Sequence, residues 1–221
     1  MAFSPAVEDY LKVIYKLQTN DQKVTTSAIA ERLGVVPASV TNMIKQLDQM
    51  RLLTHTRYQG VELTPLGEKV ALEVIRHHRL LELYLTEVLG FSWDKVDAEA
   101  ETLEHFISEE LEERLAVALG HPTHDPHGDP IPSKDGTIEE SHHDALSDVE
   151  SGQSAIIRRV SDRDPEVLRY LSSLGLTPQT HVTILSKAPF GGPLMIDVGG
   201  EQHAISRELA SLIRVALADD A

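Results

Sequence analysis

Apolar positions along this chain recur in two rhythms. Three- and four-residue spacing dominates the first half, which predicts helices, and short apolar runs between glycines follow residue 154, which predicts strands. Ser4-Pro5 combines an N-cap with proline at the first helical position and opens a helix to about Gln18. "VTTSAIAERLGVVPASVTNMIKQLDQMRLLTHT" reads as helix, turn, helix. Thr26 or Ser27 caps the first helix, Ala28 to Leu33 form it, and Gly34 ends it. The second runs from Ser39 to Met50, with Val40, Ile44 (or Met43) and Leu47 at helical spacing. "LLTHTRYQGVELT" then predicts a β-hairpin around a Tyr-Gln-Gly turn.

Thr64-Pro65 opens a helix to about Leu89. It is apolar on two sides. Ala71, Val74, Ile75, Leu81, Leu85 and Leu89 make one face, and Leu72, Leu80 and Leu83 another, which implies that a partner chain covers the second. "EAETLEHFISEELEERL" reads as one further helix. At about 100° per residue, Ala100, Leu103, Ile107, Leu111, Leu115 and Ala118 fall on one stripe, and Glu104 falls inside it. Glu109, Glu110, Glu112 and Glu113 read as a solvated face. Residues 120–155 hold many prolines and histidines and read as an irregular segment and linker. On this reading His121, His124, His127, His142 and His143 belong to a solvated connector, with metal binding by this histidine-rich loop as the alternative. The remainder, with one short helix ending at Gly175 and a last helical turn before the final strand, predicts a small, mostly β domain.

Composition narrows the classes. The chain has no cysteine, so disulfides and thiolate metal sites are excluded. No apolar run approaches the ~20 residues of a membrane span, and the start lacks a signal-peptide layout. A soluble, cytoplasmic protein without membrane partners is expected. The net charge is −15, but it is unevenly spread. Residues 1–64 carry seven Lys/Arg against six Asp/Glu, and the rest carries 13 against 29. Nucleic-acid contact therefore belongs to the first segment.

A helix–turn–helix followed by a hairpin is a winged helix, whose second helix enters the major groove while the wing follows the backbone. Asparagine can read adenine, and hydroxyls and lysine suit base edges or phosphates. The expected DNA-contacting set is Thr26, Pro37, Ala38, Ser39, Thr41, Asn42 and Lys45, with Arg57, Tyr58 and Gln59 in the wing.

The acids carry a second chemistry. Glu101, Glu104 and His105 stand at i, i+3 and i+4 and share a helix side. A carboxylate among leucines needs a cation partner. In the preceding helix His78 projects near the centre of the main apolar stripe with Glu82 beside it. Two helices turning histidine and carboxylates inward predict a divalent-metal site of oxygen and imidazole. Such a site favours Mn²⁺ or Fe²⁺ and also admits Zn²⁺ and Co²⁺. A carboxylate-bridged metalloenzyme is the alternative from another class. It would use two Glu-x-x-His motifs from different helices, and neither a clear pair nor a nucleophile–base constellation stands out. A non-enzyme with no small-molecule substrate is expected.

The ordered combination of "VEDYLKVIYKL", "IAERLGVVPASVTNMIKQL", "GVELTPLGEKVA", "RHHRLLELYLTEVLG", "EAETLEHFISEELEERL" and "HGDPIP" resembles the diphtheria-toxin-repressor and manganese-transport-regulator family of bacterial metal-dependent repressors. The resemblance covers the whole chain and implies the long, three-domain branch. The implied fold is mainly α with small β parts. It comprises a winged helix-turn-helix over residues 1–64, a helical dimerisation and metal-binding domain over 65–140, a linker over 141–153, and an SH3-like (FeoA-like) barrel over 154–221. The implied function is repression of metal-uptake genes by a homodimer on a palindromic, double-stranded operator. Mn(II) is the preferred ion, with Fe(II), Co(II), Zn(II) or Cd(II) able to substitute, and an Fe(II)-responsive repressor of iron acquisition is the runner-up.

The resemblance also implies the ligands. One set is Asp9, Glu101, Glu104 and His105, and the other is His78, Glu82 and Asp97, closed by Asp164 or, second, Glu166. The iron-sensing branch has methionine where Asp9 stands and cysteine where Glu101 stands, so these oxygens make the chain resemble the manganese sensors. One residue departs from the pattern. Lys12 stands where the short manganese sensors carry a second acid that helps hold a paired metal, which argues for two separated ions over a bridged pair.

Overall fold

A computed structural model describes residues 3–19, 23–56, 60–138 and 142–218. The chain divides into two compact units. The first comprises residues 1–78, 102–112 and 132–138, and the second comprises 79–101, 113–131 and 139–221.

In the first unit, α1 (Pro5–Gln18), α2 (Thr26–Leu33) and α3 (Pro37–Gln49) are followed by the antiparallel strands β1 (Leu53–Thr56) and β2 (Gly60–Leu63). This is the helix–turn–helix and wing read from the sequence, with two shifts. Thr25, not Thr26 or Ser27, caps α2, its side chain accepting from the Ala28 N–H at 3.1 Å. The second helix begins at Pro37, because proline fits the first helical position. Leu11, Ile14, Ile29, Val40, Ile44, Leu47, Leu52 and Leu53 form the fully buried centre of this unit. The helix α4 (Pro65–Glu87) starts in close contact with the end of the α3–β1 turn. A Cβ at Gly67 would stand 1.9 Å from the Leu52 carbonyl oxygen, so only glycine allows that approach.

The stretch read as one helix from 99 to 115 is two. The helix α5 (Val96–Leu103) ends in a turn at residues 104–106, and α6 (Glu109–Ala118) begins afresh. Ser108 supplies the reason: its hydroxyl accepts from the Leu111 N–H at 3.2 Å and caps α6, with acids crowding the first turn. The projected stripe therefore does not exist as a continuous face. Leu103 and Leu111 are exposed, and Glu104 is buried because it sits in the turn.

In the second unit, Leu80 and Leu83 of α4 pack with Ala116, Ile131 and Leu119. Together with the buried Leu72, they are covered within the chain, which corrects the expectation that a partner covers that face. Six antiparallel strands follow, in the order β3-β8-β4-β5-β6-β7. They are β3 (Asp144–Ala145), β4 (Ser154–Val160), β5 (His181–Lys187), β6 (Leu194–Val198), β7 (Glu201–Ile205) and β8 (Ile213–Leu217), with α7 (Pro165–Ser173) and α8 (Arg207–Ser211) between. The described part of the expected linker, residues 142–153, is not a bare connector: Asp144–Ala145 pairs with β8, and Leu146 and Val149 join the core of the sheet.

Candidate functional site

Glu104 is fully enclosed, with its side chain at 0% exposure, in the turn that separates α5 from α6. Three residues of the first unit reach it. Lys12 of α1, itself buried, donates to both carboxylate oxygens at 2.7 and 2.8 Å. His78 donates from Nδ1 to Oε2 at 2.5 Å. His105 places Nε2 3.5 Å from Oε1. Burial alone would raise the Glu104 pKa, but the His78 hydrogen bond and the Lys12 charge outweigh it and hold the carboxyl below its ordinary range.

His105 links this carboxylate to α1. Its Nε2 lies 2.9 Å from Asp9 Oδ1, and its Nδ1 donates to Glu8 Oε2 at 2.7 Å. The donor set fits a divalent ion: Asp9, Glu104 and His105 each offer one ligand atom within 4.8 Å of the others. With Nδ1–H engaged by Glu8, the Nε2 lone pair points toward Asp9 and Glu104, the tautomer a metal ligand requires. Glu8 was not among the residues singled out from sequence. Its signal is adjacency to Asp9, and only the fold shows that it orients His105.

The remaining expected ligands lie as follows. Glu101 and Asp97 are exposed on α5, in the second unit. Glu82, on the part of α4 in the second unit, is buried and shares a cluster with Asp125 and His127. Asp164 is exposed and caps α7, its side chain accepting from the Glu166 N–H at 2.8 Å. The barrel-side acid whose charge acts on His127 is Asp162. Two sequence readings are overturned. Glu112 is buried rather than solvated, because Arg76 Nε at 2.5 Å and His77 Nε2 at 3.3 Å take up its carboxylate. His127 is fully buried rather than part of a solvated connector.

On α3, Pro37, Ala38, Ser39, Thr41, Asn42 and Lys45 are all exposed, opposite the buried Val40, Ile44 and Leu47. Thr41 folds its hydroxyl back onto the Pro37 carbonyl at 3.0 Å. Thr26 is half-buried at the start of α2. Arg57, Tyr58 and Gln59 lie outside the described residues. None of the described helices is long and apolar enough to cross a membrane.

Comparison with known proteins covers the same three regions. Residues 2–61 match the family described as iron dependent repressor, N-terminal DNA binding domain. Residues 64–133 match iron dependent repressor, metal binding and dimerisation domain, and residues 145–217 match the FeoA domain. The chain is 30% identical over 220 residues to the iron-dependent repressor IdeR of Mycobacterium leprae (strain TN), covering 94% of this chain and 95% of that protein. It is 36% identical over 113 residues to the HTH-type transcriptional regulator MntR of Lysinibacillus sphaericus (strain C3-41), covering 51% of this chain and 81% of that protein. Among solved structures, one described as a manganese-dependent transcriptional repressor complex with manganese superposes with a TM-score of 0.88 at 36% identity, covering 96% of this chain and 99% of that one.

Proposed function

Because the chain belongs to the iron-dependent repressor family of metal-dependent, DNA-binding transcriptional repressors, which are not enzymes, we propose that it is a Mn(II)-responsive member acting as a homodimer on a palindromic operator of metal-uptake genes. The observation that carries the choice of ion is the donor set. Asp9, Glu104 and His105 offer two oxygens and an imidazole, and the chain contains no cysteine. Oxygen-rich sites suit Mn(II) better than the thiolate-containing sites that softer ions prefer. The similarity to a repressor solved with manganese supports the same reading. The iron-dependent relative keeps Fe(II) as the second reading.

Asp9 belongs to α1 of the DNA-binding region, and Glu104 and His105 belong to the turn after α5. Asp9, Glu104 and His105 would hold a divalent cation there, and it would supply positive charge to their converging donors. With all three residues engaged, α1 and the turn are held at one spacing. In a dimer the spacing of the two recognition helices must match the half-site separation of the operator. The ordered state is thereby favoured over a mobile one, and by linkage the operator must tighten metal binding by the same factor. Lys12 limits the set to one ion, since its ammonium already bridges both oxygens of Glu104.

Operator affinity measured by fluorescence anisotropy, with Mn²⁺, anaerobic Fe²⁺ and Zn²⁺ titrated into chelator-treated protein, tests this reading. Mn²⁺ should tighten binding at the lowest free-ion concentration, and Asp9→Ala should abolish the effect while leaving a dimer. Equal affinity with and without chelator would overturn the switch, and activation by Fe²⁺ but not Mn²⁺ would transfer the assignment to iron.

A further inference from the structure

His77 and His78 follow one another on α4, and both hold Glu104. At about 100° per residue their side chains leave the helix in different directions. His78 takes the side chain, donating from Nδ1 to Oε2 at 2.5 Å. His77 takes the backbone. Its Nδ1 stands 3.1 Å from the Glu104 carbonyl oxygen, and a carbonyl only accepts, so the ring donates. That carbonyl lies one residue beyond the end of α5 at Leu103, where a helix leaves carbonyls without helical partners. Glu104 is 1% exposed, so this acceptor has to be met from within the chain.

His77 is itself held. Its Nε2 stands 3.3 Å from Oε2 of Glu112, in the first turn of α6. Arg76 donates from Nε to Glu112 Oε1 at 2.5 Å and from Nη1 to the Pro132 carbonyl at 2.8 Å. His77 and Glu112 are both buried. A line of contacts thus runs from Pro132 through Arg76, Glu112 and His77 and ends on the backbone of Glu104. Arg76, His77, Glu104, Glu112 and Pro132 all belong to the first unit. The Arg76–Glu112 pair is enough to fasten α6 to α4. The histidine adds a hold on the turn at residues 104–106, and the carboxylate at its other nitrogen fixes the plane of the ring.

That turn carries Glu104 and His105, two of the three residues whose ligand atoms converge with Asp9. Ligands have to be held within about 0.5 Å of their productive positions, and backbone placement counts as much as the side chain. With the carboxylate held by Lys12 and His78 and the carbonyl by His77, Glu104 is fixed at both ends, its Oε1 3.5 Å from His105 Nε2. We infer that His77, oriented by Glu112, is a positioning residue for the ion held by Asp9, Glu104 and His105. It acts through the backbone of the turn and does not ligate. The inference rests on the ligand set proposed above, and His77 belongs to neither set implied by the resemblance.

Two substitutions in the full-length protein separate positioning from packing. The amide nitrogen of asparagine stands as many bonds from Cα as Nδ1 of histidine, and that of glutamine as many as Nε2. His77→Asn therefore keeps the donor to the Glu104 carbonyl, and His77→Gln keeps only the contact with Glu112. Mn²⁺ affinity of chelator-treated protein, measured by competition with a fluorescent chelator, should fall about 10–100-fold in His77→Gln and stay near wild type in His77→Asn. Equal affinities of the two variants, or affinities that merely follow their urea midpoints without metal, overturn the positioning role. Wild-type protein that binds no Mn²⁺ overturns the ligand set as well, so the two failures are distinct. A second readout uses no metal. The Phe106 amide donates to the Leu103 carbonyl at 2.9 Å within the turn. Its hydrogen exchange in metal-free protein should be about three- to tenfold faster in His77→Gln than in His77→Asn, the worth of one hydrogen bond. Equal exchange in the two variants shows that His77 does not hold the turn and overturns the inference.

Discussion

The Glu104 and Glu82 regions solve the same problem differently. Both bury a carboxylate beside histidine. Around Glu104, α1 delivers the Lys12 ammonium onto both oxygens, and His78 adds a hydrogen bond, so the carboxyl stays ionised below its ordinary pKa. Around Glu82, the arginines reach Asp125 and Asp129, while His127 places Nδ1 3.7 Å from Glu82 Oε1 and the Glu82 and Asp125 charges raise its pKa against burial. The lesson is that a buried acid–histidine cluster is not by itself a metal site of fixed capacity. What matters is how much positive charge the chain itself brings to the acids.

The strongest test removes the carboxylate from the first cluster. Glu104→Ala removes the buried carboxylate that Lys12 donates to and should cost about 3–5 kcal/mol in metal-free protein by urea denaturation. Replacing the pair together, Lys12→Met with Glu104→Leu, should be close to neutral by the same measurement. A double variant as unstable as the single one would show that packing, not charge, dominates there.

The second cluster should respond to pH with the opposite sign. A carboxyl whose pKa is raised on folding favours the native state when protonated. For Asp125, stability contributed at low pH is lost as pH climbs from the ordinary carboxylate range through about 7. For Glu104, whose pKa is lowered, the contribution is present above the unfolded value and lost as pH falls through the folded one. Denaturation midpoints of metal-free wild type and Asp125→Asn should therefore converge toward pH 4 and diverge toward pH 8, with the variant more stable at the higher pH. Parallel curves would contradict the burial of an underneutralised acid.

Glu8→Gln separates ligand from orienting residue in the first cluster. Loss of the carboxylate on His105 Nδ1 should weaken Mn²⁺ binding about 10–100-fold, measured by calorimetry, with little change in fold. The smallest effect belongs to a surface control in the second unit. Arg169 pairs with Asp94 at 3.0 Å but is half exposed, so Arg169→Ala should change stability by less than about 1 kcal/mol.

Much of this was legible in the sequence. Helix periodicity, Ser4-Pro5, Thr64-Pro65 and the glycine turns located the winged helix and the strands of the barrel, and the exposed face of α3 follows from three buried positions. The break at residues 104–108 was written there too, as Ser108 followed by Glu109 and Glu110. Strong helix formers on both sides hid that start signal. Partners far apart in the chain were not legible. Lys12 could be seen as a departure from the family pattern, but its place on Glu104, 92 residues away, needs the fold. His127 is buried because its backbone docks on β4 and its ring stacks on Trp93, and neither contact leaves a local trace.

Lys12 also bears on how such a sensor can change over generations. Lysine and glutamate codons differ only at their first base. A lineage carrying this arrangement therefore stands one point mutation from a chain whose α1 offers Glu104 a second acid instead of a tethered ammonium. That single step would exchange a fixed charge for one drawn from the surrounding medium, and the number of ions counted by the repressor could drift with it.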